Sequence, residues 1–358
     1  MIFCAAGDPG GSRAVLPVVL ELIQRGKPVR VLDHGFLGKE LPIEHNELLC
    51  NPNDAEKILT SCTVFIFGSS VTDILPLTLA RQAKDIGKPV IHVLDNWSLY
   101  TERLFTDKLP PLEVDVYAVM DETAKEGALA AGISESCLVV TGHPGFAAII
   151  EELKLLNSKN KQEEAVKLNL PPDKLLLAFV CEPFKQIYGT NLNVSGHPGF
   201  TEELVLSAFT ASLAPYSEDI HLVLLPHPKQ NETEINHLWE QNHGMLNGSV
   251  IKLPRSRDIL PAVSGIAGMA SILLYEAWLG GLPVLSMQPD CRHEAMKRFG
   301  LLDGIVYAHT NGMIPSAVMD WVSLCRMQDK CVVRSDLALH EASPEKVADI
   351  VLKLEALT

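Results

Sequence analysis

Residues Gly265 to Met287, GIAGMASILLYEAWLGGLPVLSM, decide how the rest of the chain is read. The stretch opens with an apolar run ending at Met269, short enough for a buried strand. Ser271 then stands as an N-cap residue before a segment whose apolar positions Leu274, Ala277, Trp278 and Gly281 recur at helical spacing. Gly280-Gly281-Leu282-Pro283 stops that helix, and Pro283 to Met287 reads as a second strand. A strand feeding a helix start presents unpaired backbone N–H groups and the positive end of a dipole. The turn at Ala270, Ser271 and Ile272 therefore suits a diphosphate. Glu276, one turn further in, is the only charged side chain of the stretch. It reads either as a solvated residue on the exposed helix face or as a ligand group.

The chain has 358 residues, enough for two domains with separate cores. A net charge of -14, with both halves acidic, excludes a basic nucleic-acid surface, and no Lys/Arg cluster supports docking on anionic membrane. The eight cysteines are scattered without a Cys-x-x-Cys pair, which points to free thiols in a reducing compartment and away from a metal site. The sequence opens directly on a strand, MIFCAA, and no segment reaches the roughly 20 unbroken apolar residues of a membrane span. A soluble cytoplasmic protein is the expectation.

Met1 to Ala6, the turn Gly7-Asp8-Pro9-Gly10-Gly11-Ser12 and the periodic run Ala14 to Gln24 spell strand, glycine turn and helix, the opening of a doubly wound α/β domain. Gly10 and Gly11 let backbone approach a ligand, or else merely pack helix on strand. Their spacing is not that of the dinucleotide fingerprint. Further strands read at Pro28 to Leu32, Thr63 to Phe67, Val90 to Leu94, Tyr117 to Met120 and Cys137 to Thr141, with helices at Asp73 to Ile86 and Asp121 to Ala131. Polar residues at the carboxyl ends of parallel strands line the crevice of such sheets, so Asp8, Ser69, Ser70, Asp95, Asn96 and Trp97 are expected on one edge. The alternation breaks at Gly142-His143-Pro144-Gly145-Phe146, and a charged stretch runs to Pro171-Pro172.

Beyond it, Leu175 to Cys181 opens a second set of strands and ends in Glu182-Pro183-Phe184-Lys185. Lys185 suits a phosphate there, whereas Glu182 would oppose one. The strand His221 to Leu225 ends in Pro226-His227-Pro228-Lys229. The flanking prolines either position the His227 imidazole or simply make a rigid turn, and Lys229 adds a second phosphate candidate. A strand at Ser249 to Leu253 precedes a short helix opened by Arg255-Ser256-Arg257-Asp258. GHPGF occurs at 142–146 and again at 196–200 in unmatched flanks, which reads as coincidence or a shared turn solution rather than a repeat. Terminal helices are expected near Ile314 to Cys325 and Pro344 to Leu357.

The pattern of small residue and Ser, hydrophobic run, Glu-Ala, Gly and Leu-Pro-Val resembles the donor-site helix of GT-B glycosyltransferases and of the related UDP-N-acetylglucosamine 2-epimerases. TVFIFGSSVTDILPLTLARQAKDIGKPVIHVLDNWSLYTERL and the later VTGHPGF resemble the matching part of lipid A disaccharide synthase, with Trp97 and Arg103 at the loop positions and Gly142-His143-Pro144 closing the first domain. The resemblance implies an α/β, GT-B-like fold of two Rossmann-like doubly wound parallel-sheet domains facing a cleft. The expected divisions are an acceptor domain at 1–150, a linker at 151–172, a nucleotide-sugar domain at 173–335, and a last helix at 336–358 crossing back to the first domain.

By the same likeness, Glu276 takes the ribose hydroxyls, and Ala270, Ser271 and Ile272 take the diphosphate with help from Lys185 or Arg255. His227 contacts the nucleotide, and Gln288 and Asp290 contact the sugar. The implied activity is metal-independent transfer of a sugar from a UDP-linked donor to an unidentified acceptor, within cell-envelope polysaccharide synthesis. The nucleotide sugar is a substrate and no cofactor is expected; no Asp-x-Asp occurs. A homodimer is compatible with this reading.

Asp8, Asp95 and His143 are the candidates for proton transfer, His143 equally as a hinge residue. Three departures keep alternatives open. No Asp directly follows Gly68, Asp73 lying a turn later, and the His-Arg-Arg-Glu-Asn signature of the 2-epimerases is absent after Cys181. Met269 and Ile272 are also bulky for a diphosphate turn. The alternatives are a UDP-sugar 2-epimerase-like enzyme and a degenerate, non-catalytic nucleotide-binding homologue.

Overall fold

A computed structural model describes residues 1–68, 73–105, 109–227, 230–327, 334 and 336–357. The chain divides into two compact units, Met1–Ile150 with Ser335–Thr358, and Glu151–Arg334. The charged stretch after residue 150 thus packs with the second unit.

In the first unit, seven parallel strands lie in the order β3-β2-β1-β4-β5-β6-β7. They are β1 (Ile2–Ala5), β2 (Val29–Leu32), β3 (Leu49–Cys50), β4 (Val64–Phe67), β5 (Val90–Val93), β6 (Val116–Val119) and β7 (Leu138–Val140). β1, β4, β5 and β6 are buried along their whole length, which is why IFCA, VFIF, VIHV and VYAV read as unbroken apolar runs and not as alternating ones. Val15, Val18, Val19 and Leu22 of helix Pro9–Gln24 cover one face, joined by Val347, Ala348 and Val351 of helix Ser343–Glu355.

That first helix begins earlier than the periodicity suggests. Pro9 supplies a helical φ and Gly10 and Gly11 are wound into the first turn, so they do not form an open glycine loop. Leu49–Cys50, helix Gly35–Glu40 and helix Ala55–Ser61, all absent from the sequence reading, fill the polar interval before β4.

The second unit holds six parallel strands in the order β10-β9-β8-β11-β12-β13. These are β8 (Leu175–Val180), β9 (Ile220–Leu225), β10 (Gly248–Val250), β11 (Gly265–Gly268), β12 (Val284–Met287) and β13 (Val306–Ala308). Phe179, Phe209 and Trp321 centre its core. The helix read from the decisive stretch spans Ile272–Leu279 and is buried from Leu273 onward on every side, with Ser271 Oγ accepting the Leu273 N–H at 3.3 Å. Each sheet has its switch point beside its first strand, between β1 and β4 and between β8 and β11, where the connections leave in opposite directions. No helix among the described residues is long and apolar enough to cross a membrane.

Candidate functional site

At the carboxyl edge of the first sheet, Asp8 follows β1 and Asp95 follows β5, and both carboxylates lie against Gly10. A Cβ at Gly10 would stand 1.8 Å from Asp95 Oδ2 and 3.5 Å from Asp8 Oδ2. Glycine is therefore what allows the two acids to share the helix start. Arg103 Nη1 pairs with Asp95 Oδ1 at 2.5 Å, both side chains being about nine-tenths buried. Burial raises the Asp95 pKa, Arg103 opposes the rise, and Asp8 adds to it. The buried Asp8 Oδ1 has no hydrogen-bond partner among the described residues. Trp97 donates its indole N–H to Asp121 Oδ2 at 2.7 Å and is buried, so it braces the loop from below. Asn96 is exposed beside it, and Ser69 and Ser70 lie outside the described residues.

His143 has a different place from the one its motif suggests. Its Nδ1 accepts the Gly145 N–H at 2.9 Å, its Nε2 donates to the Asp95 carbonyl at 3.2 Å, and its backbone N–H donates to His340 Nδ1. With both ring nitrogens engaged and burial pushing its pKa down to about 3, the imidazole is neutral and has no lone pair for a substrate. It positions the Asp95 backbone instead. The second GHPGF copy folds the same way, His197 Nδ1 accepting the Gly199 N–H at 3.0 Å. The repeated pentapeptide is a turn solution used twice.

Sequence reading missed one feature of this edge. His34, after β2, meets Asp73, after β4, with Nε2 3.0 and 3.1 Å from the two carboxylate oxygens. Asp-His-Gly at the end of β2 was the available signal, but nothing local paired it with Asp73.

In the second unit the decisive feature is Glu182, after β8. Its Oε2 accepts the Ala270 N–H at 2.8 Å, and the Met269 and Ser271 N–H groups also favour its charged form. The carboxylate lies where the helix start at Ala270, Ser271 and Ile272 was expected to receive a diphosphate. Glu182 is fully buried, and desolvation drives its pKa up to about 7 against the hydrogen bonds and the nearby Arg298. Arg298, from the 3₁₀ segment Glu294–Leu301, also reaches the Ala270 carbonyl at 3.4 Å. It is the cation at this turn, and no sequence pattern flagged it.

Lys185 and Arg255, the expected cations, are elsewhere. Lys185 is half exposed and pairs with Glu203 at 2.9 Å. Arg255 is held by Asp258 at 2.7 Å and Glu152 at 3.1 Å, because acids one helical turn away and on the neighbouring helix outcompete a distant turn. Glu276 is not solvated: it is 2% exposed, and Arg257 Nη2 stands 3.4 Å from its Oε1.

Gln288 is wholly buried, its amide donating to the carbonyls of Met269 at 2.7 Å and Met296 at 2.8 Å, so it fixes the turn from beneath while lining the cavity that Asp290 borders. Asp290 is exposed, with φ +53°, on a cavity of about 470 Å³ that Lys297, Tyr307 and His309 also line. His227 is half-buried after β9, its backbone N–H on Gln230 Oε1 at 3.0 Å. Lys229 lies outside the described residues. Among those that are described, no group of three or more His, Cys, Asp or Glu is placed to hold a metal ion.

No family model and no curated protein matches the sequence. Solved structures do match the fold. The UDP-GlcNAc 2-epimerase from Methanocaldococcus jannaschii superposes with a TM-score of 0.67 at 14% identity, over 98% of this chain and 99% of that one. The Neisseria meningitidis UDP-GlcNAc 2-epimerase bound to UDP-GlcNAc gives 0.63 at 13% identity over 98% and 99%. The S. aureus MnaA–UDP structure gives 0.62 at 14% over 99% and 97%. The chain therefore shares the GT-B-like fold of these structures, two Rossmann-like parallel-sheet units.

Proposed function

We propose that this protein is a UDP-sugar enzyme of 2-epimerase-like type that recognises the nucleotide through helix Ile272–Leu279. The observation that carries the reading is Glu276, a carboxylate 2% exposed on a helix capped by Ser271. A carboxylate so far from solvent is not the solvated residue of an exposed helix face. A ribose binding at this carboxylate has to share it with Arg257. The fold likeness over nearly the whole chain, to structures holding UDP or UDP-GlcNAc, supports inversion over the glycosyl transfer expected from the donor-helix pattern.

A thermal-shift panel of UDP, CMP, CDP, GDP, dTDP and UDP-GlcNAc tests the reading on wild type and Glu276→Ala. UDP and UDP-GlcNAc should stabilise wild type, by about 2.7 kcal/mol at a hundredfold excess over Kd, and lose that effect in the variant. No stabilisation by any nucleotide at millimolar concentration would sink it.

Glu182 favours a second reading, a non-catalytic homologue whose anion site is filled by its own side chain. Nucleotide stabilisation that appears only in Glu182→Ala would establish that alternative.

A further inference from the structure

We propose that a diphosphate enters the turn before helix Ile272–Leu279 together with a proton: ionised Glu182 holds the turn closed, whereas protonated Glu182 yields the Ala270 N–H and donates its own O–H to a phosphate oxygen. That the diphosphate belongs to a nucleotide rests on the reading above. Every residue involved lies in the second unit.

The turn is aimed by residues other than Glu182. Ser286 Oγ donates to the Met269 carbonyl at 2.6 Å and Gln288 Nε2 donates to the same oxygen at 2.7 Å, both side chains being wholly buried. In a trans peptide the carbonyl and the N–H point in opposite directions, so pinning the Met269 carbonyl toward β12 turns the Ala270 N–H toward Glu182 after β8. Arg298 reaches the Ala270 carbonyl at 3.4 Å and fixes the next peptide in the same way. The result is a rigid set of N–H groups with an anion against it, and the anion is the chain's own.

One N–H donates well to one acceptor, so Glu182 and a phosphate oxygen compete for Ala270. Ionised, Glu182 has the stronger claim, because bonds to a charged acceptor are roughly twice as strong as neutral ones, and its charge repels the phosphate. Protonation removes that charge and supplies a donor in its place. The two states are close in free energy. Full burial opposes the charge, Arg298 and the turn's N–H groups support it, and the balance stands at a pKa of about 7.

The other ionisable groups around Glu182 do not share this property. Arg298 keeps its charge, and burial pushes both Cys181 beside it and Tyr188 of helix Phe184–Tyr188 upward, so both stay neutral. Glu202 bears on Cys181 from helix Glu202–Leu213 and accepts the Lys185 N–H at 2.8 Å. His293 stands edge-on to the Tyr188 ring at 5.5 Å, and any charge change there is common to wild type and a Glu182 variant.

The test is calorimetric binding of UDP-GlcNAc, whose diphosphate is a diester and stays fully ionised near neutral pH, to the full chain and to Glu182→Gln. Wild-type Kd should rise about tenfold from about pH 6 to about pH 8, while the variant, whose amide always carries a donor, should change by less than about twofold. At about pH 8, buffers of different ionisation enthalpy should show wild type taking up about 0.9 proton per ligand and the variant none. The wild-type proton count needs no variant to fold. Parallel pH profiles, or no proton uptake by wild type, overturn the proposal. Binding by the variant alone at every pH also overturns it, in favour of a plug that never leaves. If neither protein binds UDP-GlcNAc or UDP, the nucleotide reading has failed, and inorganic pyrophosphate becomes the probe. Pyrophosphate binding whose pH dependence is steeper in wild type than in the variant then supports the proton-linked turn, and equal profiles or no binding overturn it.

Discussion

At the switch point of the first sheet, between β1 and β4, the loops bring His34 and Asp73 together, and among the described residues nothing donates to His34 Nδ1. At that of the second, between β8 and β11, Glu182 turns into the Ala270 N–H in the turn that leads into helix Ile272–Leu279. The architecture is the same and the finish is opposite. A parallel sheet always presents helix starts and loop polar groups at this edge, and in these two sheets the second residue after the first strand sets what fills it. Gly7, with no side chain, admits a dyad from its neighbours. Glu182 supplies an anion of its own.

The two units should therefore answer acid in opposite directions, and this is the largest effect expected. His92, His143 and His340 are buried in the first unit, with pKa values pushed down to about 3, 3 and 4. Each is neutral when folded and takes a proton when unfolded below its ordinary value of about 6.5, so stability is lost as pH falls below that point. At pH 5 the loss is about 2 kcal/mol per histidine, roughly 6 kcal/mol together. Glu182 works the other way. Its folded pKa of about 7 exceeds the unfolded value, so the folded state binds more protons between about 4.5 and 7 and gains stability as pH falls through that window. Native-state hydrogen exchange at pH 7 and pH 5 should show protection falling in Ile2–Ala5 and Val116–Val119 while it holds in Leu175–Val180. Parallel losses in both sheets would break the comparison.

Glu182→Gln isolates the second half of that contrast. Relative to the variant, wild type should lose about 3 kcal/mol between pH 4.5 and 7 in denaturant unfolding, because the amide cannot ionise. Equal pH profiles would mean that Glu182 is charged at little cost.

Gly35→Ala probes the first edge at its tightest backbone contact. Gly35 has φ +58°, and a Cβ there would meet the Gly7 carbonyl oxygen at 2.1 Å. A loss of about 2–3 kcal/mol is expected. A variant as stable as wild type would show that the loops are not interlocked.

The smallest effect should come from Lys185→Ala. Its partner Glu203 is exposed, so removing the pair should change stability by less than about 1 kcal/mol and leave any nucleotide response intact. A lost response would return Lys185 to the phosphate.

Local patterns were legible wherever the cause was local. The strand runs, the Ser271 cap and the stop after Leu279 all follow from residues within a few positions of one another. So does the shared GHPGF turn, in which an imidazole reaches only two residues ahead. Gly10 and Gly11 read as part of a glycine turn, whereas they lie in the first turn of helix Pro9–Gln24, where the close approach of Asp95 requires Gly10. The resemblance gives Lys185 and Arg255 to the diphosphate, whereas in the fold neighbouring acids claim both.

The amino-acid sequence alone determined two parallel α/β units and a capped helix carrying one carboxylate, because burial on both faces of a strand and the orphan N–H groups of a helix start impose residue types at short range. Tertiary structure alone decided which charges meet. Glu182 and Ala270 are 88 residues apart and His34 and Asp73 are 39 apart. Each pair is brought together by strand order, which places the exits of β8 and β11 side by side and those of β2 and β4 on either side of a glycine. No periodicity encodes that order, and the chemistry of both edges depends on it.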